Sequence, residues 1–372
     1  MPADYVFTDE HDELRKTVRA FLASRSDEKA VRAAMTTERG YDAEVWKQLA
    51  EELGLVGLII PEEHGGAGFG PIELLIAMEE MGRALLCAPF LGTSVFAAKA
   101  LLECADGVTQ KELLPKIASG AAIVSVAHAE PNGRWDLAGV TLRAKGAGPS
   151  LTLDGEKTVV LDGCAANVLL VVARSDAGLE LLRVNADAAG ITRSAIPPLD
   201  LTRKLARVKF SGTPATRISA GDQTANLERV IAFACAALAA EQVGGAQKCL
   251  DMASEYAKTR LQFGRPIGSY QGIKHKCAEM LVSVEMAKSA AYNALFVAAA
   301  GEPDFLEAAA LAKAYCSETY FHAAADNIQI HGGMGFTWEA APHLYFKRAK
   351  ASELLFGDAG HHREAVAKHV GL

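Results

Sequence analysis

Two short segments in the last third of the chain hold residues whose types and spacing could do chemistry. Arg260 heads RLQFGRPIGSYQ, and Gly332 and Gly333 lie inside QIHGGMGF. A guanidinium is a planar, permanently charged fork that can grip two phosphate oxygens at once. Adjacent glycines let a backbone approach a bulky ligand closely, because no Cβ stands in the way. Together they suit the pyrophosphate of a dinucleotide. The competing reading is a helix-end arginine and a glycine turn that packing alone requires.

A third candidate is a carboxylate. Glu241 interrupts the apolar run AALAAEQVGG. Burying it without a partner is costly, so it has either a basic or amide partner or an acid–base role. His331 precedes Gly332, and its side chain takes no part in the dinucleotide reading. His361 and His362 are neighbours near the C-terminus, and adjacent side chains of one element diverge rather than share a metal. Cysteines fall at 87, 104, 164, 235, 249, 277 and 316, never as C-x-x-C. That scatter predicts buried thiols, with neither a disulfide framework nor a metal site.

The elements that must position these residues follow from periodicity. Leu14, Val18, Phe21 and Leu22 form a helical stripe that Thr8 caps. A second helix is expected near Ala43 to Leu53, with Trp46, Leu49 and Leu53 inward and Gly54 as its stop. The turn PEEHGGAGFG (Pro61 to Gly70) separates it from a helix over Ile72 to Leu86. From Ile123 to Phe210 short β-branched runs alternate with turn residues such as Asp154-Gly155. These predict an antiparallel barrel or sandwich. Helical spacing resumes with Leu227 to Thr259, then Tyr270 to Ala300, Phe305 to Ile330 and Leu344 to Leu355. Short loops between long helices predict a four-helix bundle. The fold class is therefore α+β: an N-terminal helical domain (1–118), a middle antiparallel β-barrel or sandwich domain (119–222) and a C-terminal four-helix bundle domain (223–372).

The 372 residues are half hydrophobic and 22% charged, with a net charge of -7. No basic run invites nucleic acid. The first residues are too acidic and polar for a secretion signal. The longest apolar run, Val230 to Ala240, is short for a membrane span. The expectation is a cytoplasmic protein with no nucleic-acid or membrane partner.

Four motifs, in this order along the chain, resemble the acyl-CoA dehydrogenase family from about Phe7 to Leu372. They are PEEHGGAG (Pro61 to Gly68), LLPKIASG (Leu113 to Gly120), RLQFGRPIGSYQ (Arg260 to Gln271) and QIHGGMGF (Gln329 to Phe336). The resemblance implies FAD as cofactor and an acyl-CoA thioester as substrate. It also implies dimers pairing into tetramers, with electron-transferring flavoprotein as a possible acceptor. In the family the last two motifs reach across a dimer interface to the neighbour's FAD. The matching positions here are Arg260, Phe263, Gln271, Gln329, Gly332 and Gly333.

The family reaction needs a carboxylate to take the α-proton while the β-hydrogen leaves as hydride to the flavin. In most members that base is a Glu in Tyr-Glu-Gly near the C-terminus, and the matching residue here is Phe356. A second subgroup carries it early in the first bundle helix, where Ala234 stands. Glu241 is the remaining candidate, seven residues on, ~10 Å along a helix. The flavin-ring contacts are altered as well. Ala129 replaces the Thr of Thr-Glu-Pro, Val159 and Leu161 replace an aromatic and a hydroxyl residue, and PNGRWD lacks the usual Gly-Ser-Asp.

Three functions fit this pattern. The chain is the base-lacking subunit of a heteromeric enzyme that completes its partner's FAD site, as certain actinobacterial members do. Alternatively it is a self-sufficient homotetrameric dehydrogenase with Glu241 as a displaced base, or a non-catalytic acyl-CoA-binding or scaffold protein. The acyl group is not legible.

Overall fold

The computed structural model describes residues 6–146 and 148–372. In chain order come α1 (Asp9–Arg25), α2 (Glu28–Thr36), α3 (Ala43–Glu51), α4 (Pro71–Arg83), a π-helical segment (Phe90–Ala97), α5 (Ala98–Cys104) and α6 (Gly107–Ala118). Strands follow: β1 (Val124–Ala127), β2 (Ala144–Lys145), β3 (Ser150–Leu161), β4 (Val168–Ser175), β5 (Gly178–Asn185), β6 (Ile191–Ile196) and β7 (Leu205–Arg217). The last third contains α7 (Thr224–Thr259), a small hairpin of β8 (Leu261–Gln262) and β9 (Arg265–Pro266), then α8 (Gln271–Ala300), α9 (Phe305–His331), α10 (Pro342–Leu354) and α11 (Ala359–His369).

Local signals place the ends of these helices. Thr8 caps α1 through a reciprocal box: its hydroxyl accepts from the His11 N–H, and the His11 ring accepts from the Thr8 N–H at 3.0 Å. Asp42 caps α3, and left-handed Gly54 and Gly301 follow α3 and α8. Periodicity locates the long helices to within a few residues. It misses α11, which starts at an Asp358 cap but shows little apolar stripe.

The residues group into two compact units. One holds the chain up to Ala33, Pro71–Leu86 and Cys235–Leu372; the other holds Ala34–Gly70 and Cys87–Ala234. Helices near the start thus pack with those near the end. In the first unit α4 and α7 touch backbone to backbone. A Cβ on Gly82 would meet the Glu241 carbonyl oxygen at 1.9 Å, and one on Gly244 would meet that of Glu79 at 1.8 Å. Glycine is required at both positions. Beside this crossing, buried Glu79 and Glu80 accept from Arg15 and Arg19, each at 2.6 Å, which ties α1 to α4. The most apolar 18-residue window of α7 has mean hydropathy 1.3, enough for a span by length and composition, and 83% of it is buried within the protein. That is the pattern of a core helix.

The second unit is built on one sheet in the order β1-β4-β5-β7-β3-β2, with β6 also paired to β7. The sheet is mixed rather than wholly antiparallel, because β1 runs parallel to β4. Strand β4 is buried along most of its length, so its unbroken apolar run carries no period from which direction could be read. Leu153, Leu169, Val171, Leu182 and Val208 fill the core beneath it. Lys157 on β3 is fully buried and donates to Glu130 at 2.8 Å and to the His128 carbonyl at 2.9 Å. Glu130 also accepts from the Thr141 hydroxyl and the N–H groups of Thr141 and Leu142. Burial opposes its charge, but Lys157 and these donors hold its carboxyl below the ordinary range.

Candidate functional site

The C-terminal ends of α7 and α9 bring the two motifs together. At the last turn of α7 the Arg260 N–H donates to the Tyr256 carbonyl at 2.9 Å, and the chain then leaves in the β8–β9 hairpin. Its two turn residues, Phe263 and Gly264, have φ of 52° and 80°, the signs a two-residue hairpin turn of this hand demands. The side chain of Tyr270 folds back, its hydroxyl donating to the Gln262 carbonyl at 3.1 Å, while the Arg265 guanidinium lies 4.0 Å over its ring. Gln271 opens α8 immediately afterwards and is exposed. On the other side α9 ends at His331, whose ring stacks on Tyr256 with centroids 4.2 Å apart. Gln329, Gly332 and Gly333 are all exposed there.

The surroundings separate two kinds of glycine. Gly335 and Gly268 are packing glycines: a Cβ would meet the Ile328 carbonyl oxygen at 2.7 Å and that of Ala257 at 2.9 Å. Gly332 has φ of 60°, which demands glycine for backbone reasons. Gly333 meets neither need, since nothing lies within 4 Å of a Cβ built on it and its φ is ordinary. Arg260 is likewise uncommitted: among the described residues its guanidinium makes no hydrogen bond or ion pair, and it is exposed. Phe263 is 94% exposed. These residues fit a phosphate-bearing group arriving from outside the chain better than they fit a packing role.

The positions expected for a base are closed. Ala234 is fully buried on α7. Phe356, after α10, is 2% exposed with φ of 62°. Its carbonyl accepts from His362 Nε2 at 3.1 Å, and the next carbonyl, of Gly357, accepts from Lys313 Nζ at 3.1 Å. Lys313, fully buried on α9, also donates to Ser317 Oγ at 2.9 Å and to the Glu353 carbonyl at 3.0 Å. It thereby caps the end of α10 with a positive charge. Burial, with Lys313⁺ nearby, pushes His362 down to about 3, so its ring is neutral. Glu241 is buried and accepts from Arg348 Nη1 at 3.0 Å, the basic partner that an acid in an apolar run requires. Lys313 does not stand out in the sequence, and His362 does so only as the neighbour of His361, because nothing in local spacing shows that α9 and α11 meet the same turn.

In the second unit the counterparts of the flavin-ring contacts carry no hydroxyl. Ala129 and Leu161 are buried, and Val159 is held at φ of 52°. Beside them His128 meets Phe96 edge-on at 5.5 Å and Trp135 at 5.7 Å. Burial, reinforced by Lys157, drives His128 down to about 3, so this ring too is neutral. Arg134, in the stretch that replaces Gly-Ser-Asp, is occupied by both oxygens of Asp136. Among the described residues no cluster of three His, Cys, Asp or Glu side chains could hold a metal, and all seven cysteines are free.

Helices, then a curled sheet, then long helices, with an exposed arginine–diglycine pair at the helix ends, define a flavoprotein dehydrogenase fold. Family models agree: "Acyl-CoA dehydrogenase, N-terminal domain" matches residues 8–121 and "Acyl-CoA dehydrogenase, C-terminal domain" matches residues 225–371. The chain is 36% identical to the acyl-CoA dehydrogenase IpdE2 of Mycobacterium tuberculosis over 347 residues, covering 93% of each. Among solved structures it is similar to a variant of the Tcur3481-Tcur3483 steroid ACAD, at 30% identity and TM-score 0.90, covering 97% of this chain and 98% of that one. It is also similar to a chain of the ChsE4-ChsE5 complex from Mycobacterium tuberculosis, at 26% identity and TM-score 0.91, covering 99% and 98%. The chain belongs to the acyl-CoA dehydrogenase family. Its members are FAD-dependent oxidoreductases of lipid metabolism, and relatives of this chain occur in two-protein complexes.

Proposed function

We propose that this chain is the base-lacking subunit of a heteromeric acyl-CoA dehydrogenase, completing the FAD site of a catalytic partner of the same family. One contrast carries the reading. The Arg260 guanidinium and Gly333 are exposed and, among the described residues, serve neither an ion pair nor a packing need, while Phe356 and Ala234 close the positions of the base. When bound, FAD supplies the hydride acceptor for desaturating the acyl chain. This chain's part is to bind and orient it: Arg260 toward the phosphates, and Gln329, Gly332 and Gly333 alongside. The partner supplies the carboxylate that takes the α-proton. That Ala129, Val159 and Leu161 themselves carry no hydroxyl supports assigning the flavin ring to the partner's β-domain. One relative named as a steroid enzyme makes a steroid-derived acyl-CoA the first thioester to assay.

A self-sufficient enzyme using Glu241 requires that carboxylate to leave Arg348, and a pure scaffold leaves Arg260 without a task. The visible spectrum of the chain, purified alone and then co-expressed with a family member carrying the Glu, separates these readings. The expected result is colourless, inactive protein alone and a yellow, active complex. A yellow tetramer of this chain alone that desaturates acyl-CoA would overturn the proposal.

A further inference from the structure

We infer that His331 is a positioning residue for the dinucleotide contacts, acting through its stack on Tyr256; this rests on the reading that Arg260 and the diglycine grip FAD. Two independent contacts fix the imidazole. Its Nδ1 lies 2.8 Å from the Asn327 carbonyl, which can only accept, so Nδ1 bears the proton and donates. Its face lies against Tyr256 at 4.2 Å with the planes 22° apart. A ring held at one edge and one face has little freedom left.

What makes this stack matter is its place in the chain. Tyr256 is one helical turn before Arg260, and its own carbonyl accepts the Arg260 N–H at 2.9 Å. His331 is the residue before Gly332. The stack therefore joins the end of α7 to the end of α9 within one residue of the diglycine and one turn of the arginine. Among the described residues the Arg260 guanidinium makes no hydrogen bond or ion pair, and nothing lies within 4 Å of a Cβ built on Gly333, so neither side chain position itself ties the two segments together. A phosphate contact tolerates little misplacement, because a charge-assisted hydrogen bond weakens steeply with distance and angle. Both rings are partly exposed at the surface, so neither is needed to fill a core.

The test uses the complex of this chain with its catalytic partner, with FAD affinity read from the change in flavin fluorescence on binding. An aromatic stack contributes about 0.5–1.5 kcal/mol, so His331→Ala is expected to weaken FAD binding by up to about tenfold. His331→Phe keeps the ring face and should recover most of that loss. Tyr256→Ala should match His331→Ala, and the double variant should be no worse than either single one. Melting of the uncomplexed chain is followed in parallel. If His331→Ala changes melting but leaves FAD affinity at the wild-type value, or if His331→Phe fails to rescue, the positioning role is wrong. Arg260→Ala serves as the control. If it too leaves FAD affinity unchanged, the reading of the site fails rather than the role of His331.

Discussion

Phe263 and Phe356 have the same rare backbone, with φ of 52° and 62°, and opposite surroundings. Phe263 projects from a hairpin tip at 94% exposure, while Phe356 is 2% exposed with its carbonyl and the next one bonded to His362 and Lys313. A left-handed conformation costs a bulky residue about 1–2 kcal/mol, so each persists because something else over-determines it. At Phe356 the determinant is internal: two side chains from α9 and α11 hold the turn, and the ring fills core space. At Phe263 the determinant is the β8–β9 pairing that closes the two-residue turn, and the exposed ring meets Tyr270 edge-on at 6.5 Å. One strained phenylalanine is packed inside and the other stands at the surface.

The comparison breaks first on packing. Phe356→Ala is expected to cost about 3–5 kcal/mol in chemical denaturation of the isolated chain, whereas Phe263→Ala should stay within about 0.5 kcal/mol. Equal losses would mean that Phe263 has a structural task after all. Arg348→Met takes the guanidinium away from the buried Glu241 carboxylate, and should destabilise by about 3–5 kcal/mol. Adding Glu241→Leu should recover most of that loss, as expected for a structural pair. The double variant, assembled with its partner, should still turn over substrate; loss of turnover in a stable assembly would return Glu241 to the list of bases.

Lys313 gives the comparison a pH dependence. Burial depresses its folded-state value from the ordinary 10.5 to about 8. Between those values the unfolded chain holds a proton that the folded chain has released, so unfolding free energy rises with pH across that window. The gain is on the order of 1–3 kcal/mol by linkage. Denaturation midpoints measured from pH 7.5 to 10 should show it as a pH-dependent part that Lys313→Met removes. If wild type and variant follow parallel curves, the buried ammonium does not titrate as its surroundings imply.

Much of this was legible in the sequence, and unevenly so. Helical stripes and caps at Thr8 and Gly54 placed the long helices, since each signal lies within a few residues of what it controls. The residue types of the exposed segment could also be read, because an arginine and two glycines are candidates for phosphate contact by type alone. The closed segment was not. That Phe356 adopts a left-handed turn, and that Lys313 and His362 hold it, depends on contacts spanning six to forty-four residues. The parallel pairing of β1 with β4 was hidden for a similar reason, because a strand buried on both faces has lost its alternation. Glu241 fell between these cases. Its burial could be inferred from the run around it, but the partner, Arg348, lies 107 residues away.

The smallest effect sharpens the comparison most. The Phe263–Gly264 turn has the geometry for which asparagine followed by glycine is the favoured pair, because asparagine tolerates positive φ. Phe263→Asn should therefore stabilise the isolated chain by about 0.5–1 kcal/mol, as compatible turn replacements do. In the complex the same substitution removes an exposed ring beside Arg260 and should weaken FAD retention. Opposite signs from one substitution, measured by thermal denaturation of the chain alone and by flavin content of the complex after gel filtration, are what a residue kept for binding rather than folding should give. If the Phe263→Asn substitution raised both quantities, the hairpin tip would have no binding role, and the exposed phenylalanine would be a strain the fold merely tolerates.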